Sequence, residues 1–292
     1  MRLSAAEKFR LEEIAPGVFA HKGQTALMSK ENYGDIANLG AIVGDDAVAV
    51  IDTGGSLVEG RLFIAALQQK TSKPIRYVVN THAHPDHVFG NGAFVGPGVT
   101  FVGHKNLARA LWARGAYYME AFRKTMGEAL DGVTIVEPNI TVGEQMTLDL
   151  GGRKILLQAW RAAHSDCDLT ALDLQTGTLF GGDLLFLQHV PIVDASLLGF
   201  LEVADQLAKI PATRVVPGHG PLVADWPGAL ESERGYLNRL TSDLRAAIKK
   251  GDNVAEAARV AGQSEKRAWS LFDDYNGRNA TAGFAELEWD AP

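Results

Sequence analysis

The stretch Thr81–His82–Ala83–His84–Pro85–Asp86–His87 decides how the rest of this 292-residue chain is read. It stands where an apolar run, Ile75–Val79, meets a proline, and proline tolerates the first turn of a helix. His82 and His84 are two apart, so in extended backbone their side chains point the same way. Pro85 then turns the chain, and Asp86 and His87 emerge in a different direction. Four potential ligands within six residues can therefore face two neighbouring metal ions rather than one. Imidazole and carboxylate together suit zinc, with iron and manganese as the alternatives.

Three later residues have the same character and the same setting, each at a strand end or a turn. His164 follows the run Lys154–Trp160, Asp183 closes Phe180–Gly181–Gly182–Asp183, and His219 stands in Val216–Pro217–Gly218–His219–Gly220. The glycines beside Asp183 let backbone approach closely. A lone histidine near a strand end reads as a surface or hydrogen-bonded core residue. The set together reads as a site at the rim of a sheet.

The runs around these residues give an order of elements. Gly17–His21, Leu39–Val43, Ala47–Ile51, Ile75–Val79 and Val99–Val102 read as strands. Gly44–Asp45–Asp46 signals a hairpin. Helices are expected over Leu57–Gln68, from Pro85, and over Leu107–Ala113. A second series of strands covers Val133–Val136, Met146–Leu150, Lys154–Trp160, Leu169–Leu174, Thr178–Phe180 and Arg214–Val216, with hairpin turns at Gly151–Gly152 and Gln175–Thr176–Gly177. Helices over Ala229–Lys250, Val254–Ala261 and Glu265–Leu271 finish the chain. Two similar halves of hairpins followed by helix suit two mixed sheets face to face with helices outside. A doubly wound parallel sheet fits less well, because hairpins dominate. No linker, repeat or low-complexity stretch divides residues 1–292, so one domain is expected, with a helical extension from about residue 229.

Composition narrows the function. With 46% hydrophobic residues the chain can bury a sizeable core, and its net charge of −7 gives no basic surface for nucleic acid. The pair Lys249–Lys250 reads as an ordinary solvated helix end. One cysteine, Cys167, excludes an internal disulfide and reads as a small buried residue. The start, MRLSAAEKFRLEEIAPG, lacks the apolar core of a signal peptide, and no run approaches membrane-spanning length. The expectation is a cytoplasmic protein with a small-molecule substrate and no membrane partner. A removed leader would instead make it periplasmic, and the oligomeric state stays open.

In this order the motifs resemble those of the metallo-β-lactamase superfamily: HxHxDH, then His, Asp and His, matched over roughly Gly17 to His219. The resemblance implies an αββα four-layer sandwich of two mixed β-sheets flanked by helices. It implies that His82, His84 and His164 hold a first metal ion and Asp86, His87 and His219 a second, with Asp183 bridging. It further implies two zinc ions, or iron or manganese, with a hydroxide between them and Asp86 as proton carrier. The reaction so implied is hydrolysis of an ester, thioester, lactone or lactam-like bond. The alternatives are a mononuclear iron persulfide dioxygenase and a non-catalytic accessory protein that keeps the metal site. Asp183 resembles the glyoxalase II branch, because lactamases place cysteine at that position. Asn38–Leu39–Gly40, the run Asn80–Asn91, and the tail Arg278–Asn279–Ala280 through Trp289 are similar to the quinoprotein relay system and sulfur-oxidation-associated zinc metallohydrolases.

Several residues keep two readings at this point. Asp52 either orients a ligand histidine or caps the following helix. Trp112, Tyr117, Tyr118 and Met119 either line a pocket or belong to the core, and Ser196–Phe200 is either a pocket wall or the start of a helix. His21, His104 and His189 match no ligand position and read as hydrogen-bonded or exposed.

Overall fold

In the computed structural model, residues 9–290 are described. Residues 1–8, which carry part of the signal-peptide reading, and 291–292, the end of the expected domain span, lie outside them. The hairpin and strand runs of the first half build one sheet. Glu12–Ala15 (β1), Val18–His21 (β2), Leu39–Val43 (β3) and Val48–Ile51 (β4) pair antiparallel, and Ile75–Val79 (β5), Thr100–His104 (β6) and Ile140–Val142 (β7) continue in parallel. Between these strands run Leu57–Gln68 (α1), Pro85–Val88 (α2) and Leu107–Met126 (α3).

The second sheet holds Gln145–Asp149 (β8), Lys154–Ala159 (β9), Leu169–Asp173 (β10), Thr178–Phe186 (β11), Arg214–His219 (β12) and Ala224–Asp225 (β13), in the order β13-β12-β11-β10-β9-β8. Only β11 and β12 run parallel in it. Leu197–Leu207 (α4), Leu230–Lys250 (α5), Val254–Val260 (α6) and Phe272–Trp289 (α7) complete the chain.

Period-2 alternation sorts the strand residues between layers. In β4, Ala49 and Ile51 face the second sheet, where they meet Leu157, Ala171, Phe180 and Val216. Val48 and Val50 face the other way, onto Phe63 and Leu67 of α1. On the far side of the second sheet, Leu179 and Val215 pack with Phe200 of α4, Tyr236 and Leu240 of α5, and Phe284 and Leu287 of α7. The result is the four-layer sandwich of two mixed sheets flanked by helices that the resemblance implied. No helix among the described residues is long and apolar enough to cross a membrane.

Three expectations change, and one open reading closes. The helix from Leu107 runs on to Met126 instead of stopping at Ala113, with Gly115 buried in its middle against Ile135. Val133–Val136 forms no strand, because the place beside β6 is taken by β7. Glu265–Leu271 is not a helix; a short 3₁₀ turn, Gln263–Glu265, precedes α7, which was not foreseen. Ser196 is a helix start, its side chain accepting from Gly199 N at 2.8 Å.

Two buried charged groups test the packing. Arg153 donates from Nε and Nη2 to Asp173 at 2.9 and 2.7 Å, and from Nη1 to Val43 O at 3.0 Å, which joins the sheets. Arg153→Ala leaves Asp173 uncompensated and should cost about 3–5 kcal/mol in chemical denaturation; a loss below about 1 kcal/mol contradicts this account. Glu233 of α5 is fully buried, accepts from Phe186 N at 3.3 Å through Oε2, and leaves Oε1 unpaired. Burial pushes its carboxyl well above the usual range. The folded state therefore holds this proton more tightly than the unfolded chain does. Its stabilisation is complete below the unfolded pKa of about 4.3 and is lost as pH rises toward the folded value. Glu233→Gln should raise the melting temperature by a few degrees at pH 8 and by less at pH 5; an equal change at both pH values contradicts the assignment.

Candidate metal centre

The parallel strands of both sheets end at one edge, and the seven residues singled out by motif meet there. His82 and His84 lie just beyond β5, Asp86 and His87 in α2, His164 beyond β9, Asp183 within β11 and His219 at the end of β12. Asp183 is aimed by a bulge: the register of β11 against β12 shifts at Gly182, whose φ is 52°. Gly218 lies flush against it, since a Cβ there would come within 2.0 Å of Asp183 Oδ1. Asn38 fastens the first sheet to this turn. Its N–H donates to Gly218 O at 2.8 Å and its side chain to Pro217 O at 2.9 Å.

Each of the five histidines has one ring nitrogen directed at an acceptor outside the cluster. His82 Nδ1 faces Thr81 Oγ1 at 3.1 Å, and the Thr81 hydroxyl itself donates to Asp52. His84 Nε2 faces Asp194 Oδ2 at 3.2 Å, and His87 Nδ1 faces Asp52 Oδ2 at 2.8 Å. His164 Nδ1 meets Ile192 O at 2.8 Å and His219 Nδ1 meets Ile36 O at 2.9 Å. None of these acceptors can donate to the ring, so in the neutral tautomers the proton sits on the outward nitrogen. The inward nitrogens are then bare lone pairs.

Those lone pairs converge. His164 Nε2 and His84 Nδ1 are 2.9 Å apart with no proton left between them. Asp183 Oδ2 lies 3.7 Å from His82 Nε2, 3.4 Å from His164 Nε2 and 3.4 Å from His219 Nε2, while its Oδ1 lies 3.2 Å from His87 Nε2. Asp86 Oδ2 lies 3.2 Å from His219 Nε2 and 3.5 Å from His87 Nε2. His82 Nε2, His87 Nε2 and Asp183 Oδ1 are buried without a hydrogen-bond partner, at a cost of about 1–3 kcal/mol each if nothing else satisfies them. Two sets could each hold a metal ion: His82, His84, His164 and Asp183, and Asp86, His87 and His219. The donor chemistry fits divalent cations at both.

The electrostatics agree. Burial holds His82 well below the usual imidazole range and His164 at about 4, so both are neutral, as ligands must be. His219 is raised to about 9 against its burial, because Asp183 and Asp86 adjoin it. Burial alone would raise Asp86, but His87 and His219 bring it to about 2. Anion and imidazole thus offset each other wherever no cation does.

The open readings now separate. Asp52 orients His87 and Thr81, while the helix after it is capped by Ser56, which accepts from Glu59 N. Tyr118 packs at the mouth with its ring 6.0 Å from His84, and Met119 is partly buried against the cluster under α3. Trp112 and Tyr117 are exposed and belong to neither the core nor the cluster. Cys167 is buried, and burial pushes its thiol up to about 12. His21 is buried between Arg10 O and Asp35, and His104 accepts from Asn106 N. His189 lies beside His219, its ring 5.1 Å away. His21, Asp35 and Glu59 also lie close enough to hold an ion, but both His21 nitrogens are already hydrogen-bonded.

Motif reading missed Asp194, Ile192 and Ile36. Two of these act through backbone carbonyls, which leave no mark in a sequence. Asp194 also pairs with Arg114 of α3 and Arg278 of α7, and His84 together with Arg114 holds its carboxyl far below the usual range despite burial.

Comparison with known proteins follows the same line. A family model described as Metallo-beta-lactamase superfamily matches residues 32–219. A linear primary-alkylsulfatase of Pseudomonas sp. (strain ATCC 19151) is 40% identical over 50 residues, 17% of this chain and 10% of that protein. The metallo-beta-lactamase from Pontibacter korlensis superposes with a TM-score of 0.64 at 19% identity, over 79% of this chain and 99% of that one. The stereoselective inverting sec-alkylsulfatase Pisa1 from Pseudomonas sp. gives 0.73 at 17% identity, over 97% of this chain and 51% of that one. This chain therefore spans about half the length of that sulfatase, and its match to the curated alkylsulfatase covers a tenth of that protein. At these identities the structural likeness is one of fold.

Because Asp52 fixes the proton of His87, Asp52→Asn should weaken metal binding about 10- to 100-fold in chelator competition, with the fold retained by circular dichroism. Unchanged affinity would remove Asp52 from the centre.

Proposed function

The chain belongs to the metallo-beta-lactamase superfamily, and on that premise we propose that it is a dinuclear metal-dependent hydrolase acting on an ester-like bond of a small molecule. The observation that carries this reading is the convergence of five imidazole lone pairs on Asp183 and Asp86, with every outward ring nitrogen already hydrogen-bonded. In this reading His82, His84 and His164 hold one ion, Asp86, His87 and His219 the other, and Asp183 serves both. Zinc suits this set of nitrogen and oxygen donors, with iron or manganese as alternatives. Bound divalent ions supply Lewis acidity, which brings the pKa of water down to about 7.

The chain's own residues do the rest. Asp86 is nearly buried and ionised at neutral pH, so its carboxylate accepts the proton of the attacking water. Asp52 and Asp194 keep His87 and His84 in the ligating tautomer. Tyr118, Arg114 and Arg278 lie beside His84 and its partner Asp194, and buried His189 packs between His219 and Tyr275. The catalytic unit is taken to be residues 1–292 as one domain, with the helices after about residue 229 as its extension. Thioester, lactone and β-lactam bonds are candidates. A sulfate ester joins them, because alkylsulfatases stand among the proteins this chain resembles and one of their structures superposes over 97% of it.

Metal analysis of protein purified without chelator, with hydrolysis assays on a thioester, a lactone, a β-lactam and a primary alkyl sulfate, tests the reading. Near two zinc ions per chain and metal-dependent cleavage of one substrate class are expected. A single iron with no hydrolysis would move the function to oxygen chemistry on persulfides. Alanine at Asp86 or Asp183 should reduce turnover by at least about 10²-fold; a variant of either with near-normal activity and metal content contradicts the scheme.

A further inference from the structure

The tail segment Arg278–Asn279 through Trp289 lies far along the chain from every ligand, yet it reaches the metal centre through one loop. Residues 187–196, between β11 and α4, contain no helix and no named strand. This loop supplies the outward acceptors of two histidines: Ile192 O for His164 and Asp194 Oδ2 for His84. Its backbone is tied to His219 O through Leu187 N at 2.9 Å and to the His164 segment through Asp194 N and Ser196 N, both at 3.0 Å, but these bonds leave the Ile192 carbonyl and the Asp194 side chain to be aimed by other contacts.

Helix α7 holds it. Asn279 is fully buried, and its amide brackets Ile192: Oδ1 accepts from Val193 N at 2.9 Å and Nδ2 donates to Pro191 O at 2.6 Å. The same amide is braced by the Tyr236 hydroxyl of α5 at 2.9 Å. One residue earlier, Arg278 Nη2 donates to Asp194 Oδ1 at 2.8 Å, while Oδ2 takes His84 and Arg114 of α3. About two turns further on, Glu286 accepts from Ser196 Oγ and Leu197 N, both at 2.6 Å, and closes the loop's far end. By contrast, the outward acceptors of His82, His87 and His219 are Thr81, Asp52 and Ile36, in segments that precede β3 or border β4 and β5. None of them hydrogen-bonds to α7.

We propose that Arg278 and Asn279 are positioning residues for the set His82, His84 and His164, acting through Asp194 and Ile192, so that the C-terminal helix controls the affinity of one metal ion and not the other. The inference rests on the dinuclear reading above. An outward acceptor that drifts lets its imidazole turn, and loss of such a partner weakens metal binding about 10- to 100-fold. Arg278 is more than half exposed, so its removal should leave the fold intact. Asn279 is buried, and its removal tests the stronger contact at greater risk to stability.

Zinc titration of the metal-stripped full chain by calorimetry, with circular dichroism as the control for folding, decides the matter. Wild type should take up two ions. Arg278→Gln and Asn279→Ala should each weaken one step about 10- to 100-fold and leave the other unchanged. Asp194→Asn should weaken the same step, and Arg278→Gln added to it should have no further effect, because both act through one carboxylate. If Arg278→Gln, folded as wild type, binds both ions with wild-type affinity, the inference is overturned while the dinuclear reading stands. If both steps weaken together, α7 supports the fold rather than one ion, and the inference again fails. If wild type takes up no zinc, iron or manganese, the dinuclear reading fails first and the inference with it.

Discussion

A buried imidazole has two nitrogens, and in this protein five of them must be satisfied in one small volume. That constraint organises the rest of the structure. Each ring gives its proton to an acceptor on the outside and turns a lone pair inward, toward Asp183 and Asp86. The inward face attracts cations because two buried carboxylates and the lone pairs of the neutral rings meet there, and a proton on His219 offsets that charge only where no cation does. The outward face demands five acceptors at fixed distances, and a buried donor without one costs about 1–3 kcal/mol. Thr81, Asp52, Asp194 and the carbonyls of Ile36 and Ile192 are therefore as much a part of the centre as the ligands.

A two-sheet sandwich meets this demand in a way that a single sheet cannot. The candidate ligands come from both sheets, and the edge where they meet must be rigid. Asn38 ties the start of β3 to the turn carrying His219. Asn80 and Asn91 exchange side-chain hydrogen bonds at 3.0 and 2.9 Å, with Thr53 donating to Asn91 at 2.8 Å, which locks the segment on either side of α2. The bulge at Gly182 turns Asp183 out of the strand pattern and into the gap. Asp52 itself adopts a φ of 56°, a left-handed conformation that an aspartate tolerates, held by its bonds to Thr81 and His87.

The surroundings of His84 are assembled from helices of the two flanking layers. Arg114 of α3 and Arg278 of α7 meet on Asp194, so that one carboxylate links helices from opposite halves of the chain beside His84. Tyr118 and Tyr275 stand near the same rim. Arg114 and Arg278 are about half exposed while Asp86 and Asp183 are buried, so positive charge stands outside the buried carboxylates on a chain whose net charge is −7.

The candidate ligands were legible in the sequence because metal chemistry restricts residue type and backbone geometry restricts spacing. Histidines two apart on extended chain, a proline, and then Asp86 and His87 admit few arrangements. Strands with alternating or continuous apolar character and glycine turns were legible for a similar reason, and Leu57–Gln68 and Ile75–Val79 lie where their patterns put them. Helix α7 was not legible. Its buried positions Phe272, Asn276, Asn279, Ala280, Gly283, Phe284 and Leu287 have helical spacing, but three of them are amides or glycine, so no apolar stripe appears. Val133–Val136 has strand composition, yet another segment occupies the edge it would need. The choice between capping and orienting for Asp52, and the acceptor roles of Ile36, Ile192 and Asp194, depended on distances between residues up to 183 positions apart. Sequence alone determined which atoms could bind a metal, since that is a property of side-chain chemistry. Tertiary structure decided which nitrogen of each ring is free to do so, since that depends on what the fold places behind it.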